Sequence, residues 1–417
     1  MDYRIFPPEE ILEATVTLPQ SKSVAMRAHL LNYLSGRKGD NAMCDDTATL
    51  SQILNAGLPS DGSAIEVGAS GAACRFLTAL CAASEGVDCV ITGSARMLKR
   101  PIGPLVLALK ALGADIEFVG EEGFPPLRIK GRKLSGGSVE IDASESSQYV
   151  SALMMIAPLL DSKLEIKLTG NQQSAPYIRM TGEMMSRRGA IVEIDRDKVE
   201  LTCSRAIEYA EECEADWSAA AFWYEIAAVT AGWLTLDGLS DKSLQGDRQS
   251  TALFERLGVI TEFTEAGAEL SATPDLYNSL DADLSDMPDV VPALVVTCCL
   301  IGLPFRLSGI GALHHKESDR VEALIAEMAK LGCELETEAY GTTLIWDGRR
   351  VPITSMPVFE TYGDHRLAMS LAPVAVYVPG IVVKDVEVVT KSYPTYWEQL
   401  QQAGFRVVDA AAIDEKA

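Results

Sequence analysis

Cations gather where helices begin in this sequence. The stretch LPQSKSVAMRAHLL, Leu18–Leu31, opens an apolar helix with Ser21, Lys22 and Ser23 and places Arg27 one turn in, although a helix N-terminus already carries positive partial charge. Free backbone N–H groups, a hydroxyl and added Lys and Arg together make a seat for phosphate or carboxylate. Further basic clusters share this setting: Arg75 after SGAAC, Arg96, Lys99 and Arg100 in ARMLKRPIG, Lys316 and Arg320 in HHKESDR, Arg366 in DHR and Lys391 in TKSYP. Arginine offers a planar fork that grips carboxylate or phosphate, and lysine a compact charge that can also give up a proton. So many of them at turns and helix starts predict a substrate with several anionic groups.

Acids stand among these cations. Lys316 and Arg320 are spaced i,i+4, which predicts one shared helix face with Glu317 one position round. A surface ladder of ion pairs would use the same spacing. A Glu held by cations stays ionised, yet a bound carboxylate that competes for them would make it a proton donor. Asp289 follows Pro288 at the mouth of an apolar helix, a place for either a helix cap or a general base.

The elements that must position these residues recur along the chain. An amphipathic helix ending in glycine and followed by a short strand is read at LVLALKALGADIEF, MMSRRGAIVEI, ALFERLGVITEF, EMAKLGCELETE and QLQQAGFRVV, with the glycines at 113, 189, 258, 332 and 404. Their intervals of 76, 69, 74 and 72 residues match a small α/β unit. LSQILNAGLPSDGSAIEV, with Gly57, is a weaker sixth copy. Between the copies runs a more apolar helix class, starting at SKS, SGAAC, SSQYV, DWSAA, MPDVV and GDHRL. Helices apolar on most faces should be buried. Their starts hold Lys22 and Ser23, Ser70 and Gly71, Ser146 to Gln148, Asp216, Asp289, and Asp364 to Arg366. Six such units, with strands such as GSVEIDA and KLEIKL, predict two α/β lobes of three, their buried helix N-termini facing one cleft. The lobes are expected over 1–17 with 215–417 and over 18–214.

Composition narrows the partners. With 417 residues, 47% of them apolar and 23% charged, the chain has material for two globular cores. The formal charge of −23 argues against nucleic acid or an anionic membrane as a partner. Nine cysteines, an odd number with no zinc-ribbon pairing, fit a reducing cytoplasm. MDYRIFPPEE has no basic and apolar leader pattern. VVPALVVTCCLIGLPF, from Val290, is shorter than a membrane span and contains Pro292 and Pro304, so a buried core helix is expected.

SKSVAMRA, RPIG, SSQYVSALM, QGD at 245–247, MPD, KESDR, GDHRLAM and TKSYP resemble, in order and across nearly the whole chain, the motifs of the 5-enolpyruvylshikimate-3-phosphate synthases in the enolpyruvyl transferase family. The resemblance implies a two-lobed inside-out α/β barrel of six repeated units, closing on substrate. It also implies transfer of the enolpyruvyl group of phosphoenolpyruvate to the 5-hydroxyl of shikimate 3-phosphate, with release of phosphate and with no metal or organic cofactor. Carried over by motif, Lys22, Ser23, Arg27, Ser146, Ser147, Gln148, Ser174, Tyr177, Asp289 and Lys316 would hold shikimate 3-phosphate. Lys22, Gly71, Arg100, Gln148, Arg320, Arg366 and Lys391 would hold phosphoenolpyruvate. Asp289 would take the hydroxyl proton, Glu317 and Lys391 would protonate the methylene carbon, and Lys22 would complete the catalytic set. A cytoplasmic monomer is expected. The chain departs from the family pattern at Ala69-Ser70-Gly71-Ala72, usually Asn-Ala-Gly-Thr, at Phe76, usually proline, and at Ala312, usually asparagine. A transferase acting on UDP-N-acetylglucosamine shares the implied fold, but the ARMLKRPIG loop lacks the cysteine such enzymes typically carry. A silent anion-binding relative would not need Asp289, Glu317 and Lys391 together.

Overall fold

In the computed structural model, residues 1–37, 43–172, 174–203, 207–210, 214–230 and 232–414 are described. Helices alternate between two kinds along the chain. The first, third, fifth and later odd members, α1 (Lys22–Leu34), α3 (Gly71–Ala83), α5 (Ser147–Met155), α7 (Trp217–Val229), α9 (Val291–Ile301) and α11 (His365–Leu371), are nearly all buried. The even members, α2 (Asp45–Ala56), α4 (Gly103–Ala111), α6 (Ala175–Ser186), α8 (Ser250–Arg256), α10 (Arg320–Ala329) and α12 (Tyr396–Gln402), bury one face. The glycines that follow them, Gly57, Gly113, Gly189, Gly258, Gly332 and Gly404, all have φ between 75° and 98°. Such a left-handed backbone ends a helix at low cost only with glycine. At Gly332 a Cβ would also run into the Val351 carbonyl.

Five four-stranded sheets occur among the described residues, and all repeat one topology. Ser60–Glu66 runs parallel to Asp88–Thr92 across α3, and Asp88–Thr92 is antiparallel to Leu127–Lys130, which pairs with Asp115–Phe118. Gly137–Asp142 and Leu164–Thr169, the strands read as GSVEIDA and KLEIKL, pair in the same parallel way across α5. A buried helix between parallel strands is what a βαβ connection requires. The N-terminal residues supply two strands to the later repeats. Glu13–Thr17 pairs in parallel with Trp233–Asp237, and Tyr3–Phe6 completes the last sheet between Ile381–Val383 and Arg406–Asp409. For α1 and α2, the sixth unit read from the sequence, no sheet is found among the described residues.

The chain divides into two compact units, Met1–Ser21 with Glu214–Ala417, and Lys22–Cys213. The expected boundaries shift by a few residues for a local reason: Ser21 N donates to Glu214 O at 2.7 Å and Gln20 bridges Ala215, tying 18–21 to the first unit. In that unit α7, α9 and α11 pack on one another. In the other, α1, α3 and α5 do so. No described helix is long and apolar enough to cross a membrane; the greasy run from Val290 is α9, buried from Val291 to Leu300.

One ionisable group sits inside the first core. Glu225 of α7 is fully buried, neither carboxylate oxygen finds a donor among the described residues, and burial holds its pKa well above the ordinary value. A carboxyl raised on folding stabilises fully below its unfolded pKa of about 4.3 and costs stability as pH rises above that. Glu225→Gln is therefore expected to raise the thermal midpoint at pH 7–8, with the gain shrinking toward pH 4. Melting curves of both proteins at four pH values check this.

Candidate active site

Each unit holds a cluster of the predicted residues. In the Lys22–Cys213 unit, Lys22 opens α1 and pairs with Asp46 of α2 at 3.1 Å. Arg27, one turn on, is 3% exposed. Its Nε donates to Thr181 Oγ1 at 2.7 Å, Nη1 to the Ser23 carbonyl at 2.9 Å and Nη2 to Ser151 Oγ at 3.0 Å. The guanidinium lies 5.6 Å from the Phe76 ring centroid and 5.5 Å from that of Tyr177, within cation–π range. Burial pulls its pKa down to about 10, so it stays charged at neutral pH.

Gly71 is the first residue of α3, and a Cβ there would lie 2.5–2.9 Å from the Arg100 guanidinium atoms. Only glycine lets this buried arginine reach the helix N-terminus. Ser70 caps α3, accepting from Ala73 N at 3.4 Å, and Ser146 caps α5, accepting from Gln148 N at 3.2 Å. Ser147 and Gln148 form the first turn of α5. Ser174, in a left-handed conformation at φ 60°, precedes α6, whose first turn carries Tyr177. Both helices pack against α1. The other cations of this region separate: Arg96 and Lys99 are exposed, and Arg75 is buried with its guanidinium on the Gly71 and Pro101 carbonyls.

The second cluster is a continuous ionic network. Arg320, 1% exposed, donates from Nε to Asp364 Oδ2 at 2.8 Å, from Nη1 to Asp289 Oδ1 at 3.0 Å and from Nη2 to Glu317 Oε2 at 3.0 Å. Asp289 also receives Arg366 Nη2 at 3.1 Å and lies 3.7 Å from Lys316 Nζ. Lys391 Nζ lies 3.9 Å from Glu317 Oε1. Burial lowers the Arg320 pKa and the Asp364, Glu317 and Asp289 carboxylates outweigh it, so the net shift is upward. For Asp289, burial works upward, and Arg366, Lys316 and Arg320 overcome it to hold the carboxylate well below its ordinary range.

Two readings of this region change. Lys316 and Arg320 share no helix face, because α10 starts at Arg320 with Asp319 as its cap, and Lys316 is extended. They meet instead on the Asp289 carboxylate. Asp289 does not cap α9, whose capping position is Val290 with no side-chain bond.

Sequence reasoning missed two carboxylates as site members. Asp364 is fully buried, caps α11 through Arg366 N at 3.0 Å and takes Ser318 Oγ at 3.1 Å besides Arg320. Asp247 accepts a short hydrogen bond from Ser218, and burial, then the charge of Asp289, push its pKa up to about 7. The QGD and GDHR segments had marked both stretches.

The family model for EPSP synthase (3-phosphoshikimate 1-carboxyvinyltransferase) matches residues 44–400. The chain belongs to the EPSP synthase family. A 3-phosphoshikimate 1-carboxyvinyltransferase of Bacteroides fragilis (strain YCH46) is 43% identical over 98% of this chain and 99% of its own. One from Methanoculleus marisnigri is 36% identical over 82% of this chain and 79% of its own. The solved EPSP synthase of Acinetobacter baumannii superposes with a TM-score of 0.73 at 22% identity, covering 98% of this chain and 100% of that one, and so shares the α/β fold.

The ionic network makes one structural demand. Without Asp364 the buried Arg320 loses two of its contacts and α11 its cap. Removing one partner of a buried ion pair costs about 3–5 kcal/mol. Asp364→Ala should show that loss in urea unfolding, whereas Lys316→Ala, at the half-buried edge of the network, should change stability by under about 1 kcal/mol.

Proposed function

We propose that the chain works as a cytoplasmic, monomeric 3-phosphoshikimate 1-carboxyvinyltransferase in which Asp289 and Glu317 have opposite jobs in one addition step. The supporting observation is that both carboxylates are held by the same Arg320 fork among three more cations, Lys316, Arg366 and Lys391. The eight described cysteines are all free, which suits a reducing compartment.

Lys22, Ser23, Arg27, Ser146, Ser147, Ser174 and Lys316 hold the anionic groups of shikimate 3-phosphate, with Gln148 and Tyr177 beside its ring. Lys22, Gly71, Arg100, Gln148, Arg320, Arg366 and Lys391 take phosphoenolpyruvate. Glu317, with Lys391, gives a proton to C3 of phosphoenolpyruvate, which leaves positive character at C2. The 5-hydroxyl oxygen then bonds to C2 while its proton passes to Asp289. In the elimination that follows, C3 loses a proton, the C2–O bond to phosphate breaks and the double bond returns.

A carboxylate whose pKa is held far down is a poor base. Ligation removes that obstacle, because the cations that depress Asp289 are the ones that bind the substrate anions. Once Arg366, Arg320 and Lys316 are shared with phosphate and carboxylate, Asp289 becomes more basic and Glu317 easier to protonate.

Asp289→Ala is expected to retain substrate binding and to lose about 10²–10⁴ in turnover, the usual loss for a missing general base. Glu317→Ala should slow turnover and also suppress incorporation of solvent deuterium into the methylene group of phosphoenolpyruvate. Phosphate release and mass spectrometry in deuterated buffer, with both substrates present, measure the two effects. Undiminished turnover in Asp289→Ala, or unchanged exchange in Glu317→Ala, would reassign the acid and base.

A further inference from the structure

His314 stands two residues before Lys316 and belongs to no part of the network just described. Its ring is bound on both nitrogens. Nδ1 lies 2.9 Å from Asp319 Oδ1 and 2.8 Å from Oδ2, and Nε2 lies 3.0 Å from the Gly341 carbonyl. An ionised carboxylate and a backbone carbonyl only accept hydrogen bonds, whereas a neutral imidazole has one N–H to give. Both bonds exist together only when the ring is protonated.

Each bond anchors a different element. Asp319 caps α10, accepting from Glu322 N at 3.2 Å, and so fixes the turn from which Arg320 projects. Gly341 lies in the connection between Glu336–Glu338 and Thr343–Trp346, where Ala339, Tyr340 and Gly341 all have positive φ. At Gly341 a Cβ would sit 2.9 Å from His314 Nε2, so glycine permits the approach. Ile310 N donates to Thr342 O at 3.2 Å on the same connection. Residues 310–320, with Lys316, Glu317 and Arg320 among them, are thus pinned at one end to a strand connection and at the other to a helix cap.

We propose that His314 is a positioning residue whose protonated ring holds the Lys316–Arg320 segment in register with Asp289 and Asp364, so that alkaline deprotonation loosens this segment and slows the reaction. The proposal rests on the enolpyruvyl transfer assigned above. Asp319 and Glu322 of α10 are the acids facing the ring, and from the strand side it meets the Gly341 carbonyl, with Glu338 engaged by Arg306 at 3.3 Å. Burial alone lowers the ring's pKa, but its bonds to Asp319 and Gly341 more than offset this and raise it above the ordinary value of 6.5. A histidine raised in this way keeps its bonds below that pKa and loses one of them as pH rises through it.

Three proteins test the idea: wild type, His314→Arg, whose cation does not titrate, and Asp319→Asn, which keeps a capping oxygen but not the charge. In wild type, kcat is expected to fall on the alkaline side at the pH where 15N NMR shows the His314 ring losing its proton. His314→Arg should lack that limb, and Asp319→Asn should move it to lower pH by about one unit. Amide exchange over 314–320 should speed up across the same range in wild type and not in His314→Arg. An identical alkaline limb in all three, or a ring already neutral at pH 6.5, would overturn the proposal. Should wild type show no transfer between the two substrates, the activity assignment fails by itself, and the ring titration and exchange rates still decide whether His314 holds the segment.

Discussion

A guanidinium with 1% of its surface exposed has to be neutralised where it lies. Arg320 meets that constraint with three carboxylates from three places in the sequence: Asp364 at the cap of α11, Asp289 just before α9 and Glu317 just before α10. Desolvating such a charge costs several kcal/mol unless its partners are in place. The starts of these helices are therefore obliged to converge, and the repeated units supply the means. Five of the units deliver a buried helix between two parallel strands. Packing α10 and α11 on α9 brings those starts together.

The balance within the network explains how an acidic protein can hold anions. Lys316, Arg320, Arg366 and Lys391 face Asp289, Glu317 and Asp364. Asp247, whose pKa burial and the charge of Asp289 push up to about 7, adds a fourth carboxyl beside them. The chain's formal charge of −23 resides largely on exposed acids, which salt screens within about 8 Å. A small anion close to the network responds to these nearby cations rather than to the total.

The alternation of buried and amphipathic helices was legible in the sequence because it is periodic, and the glycines after the amphipathic helices were legible because a left-handed backbone excludes other side chains. Asp216, Ser70 and Ser146 could be read as helix starts for the same local reason. The error at Lys316 and Arg320 was also local in origin. Asp319 followed three residues later by Glu322 is the pattern of an N-cap with an acid in the first turn, and it places Lys316 outside the helix. What could not be read is long-range. Nothing near Asp364 says that its carboxylate meets an arginine 44 positions earlier, nor does the neighbourhood of Asp247 reveal a buried site next to another acid. Those facts depend on how units of one design pack, which spacing alone does not encode.

The positions where this chain departs from the family pattern fall unevenly. Ala69, Ala72 and Phe76 cluster around α3. There the Gly71 backbone, the Ser70 cap and the Arg100 guanidinium stand together at the helix start, an arrangement of charge and N–H donors that suits an anion. Phe76 puts an aromatic face against Arg27, opposite no charge of its own, and helps fix a guanidinium already held by Thr181 and Ser151. Ala312 lies on the segment that leads to Lys316, but the ionic network beyond it is complete. Asp289 meets three cations, Arg320, Arg366 and Lys316, and Glu317 meets two, Arg320 and Lys391, so removing either carboxylate takes a partner from the buried Arg320.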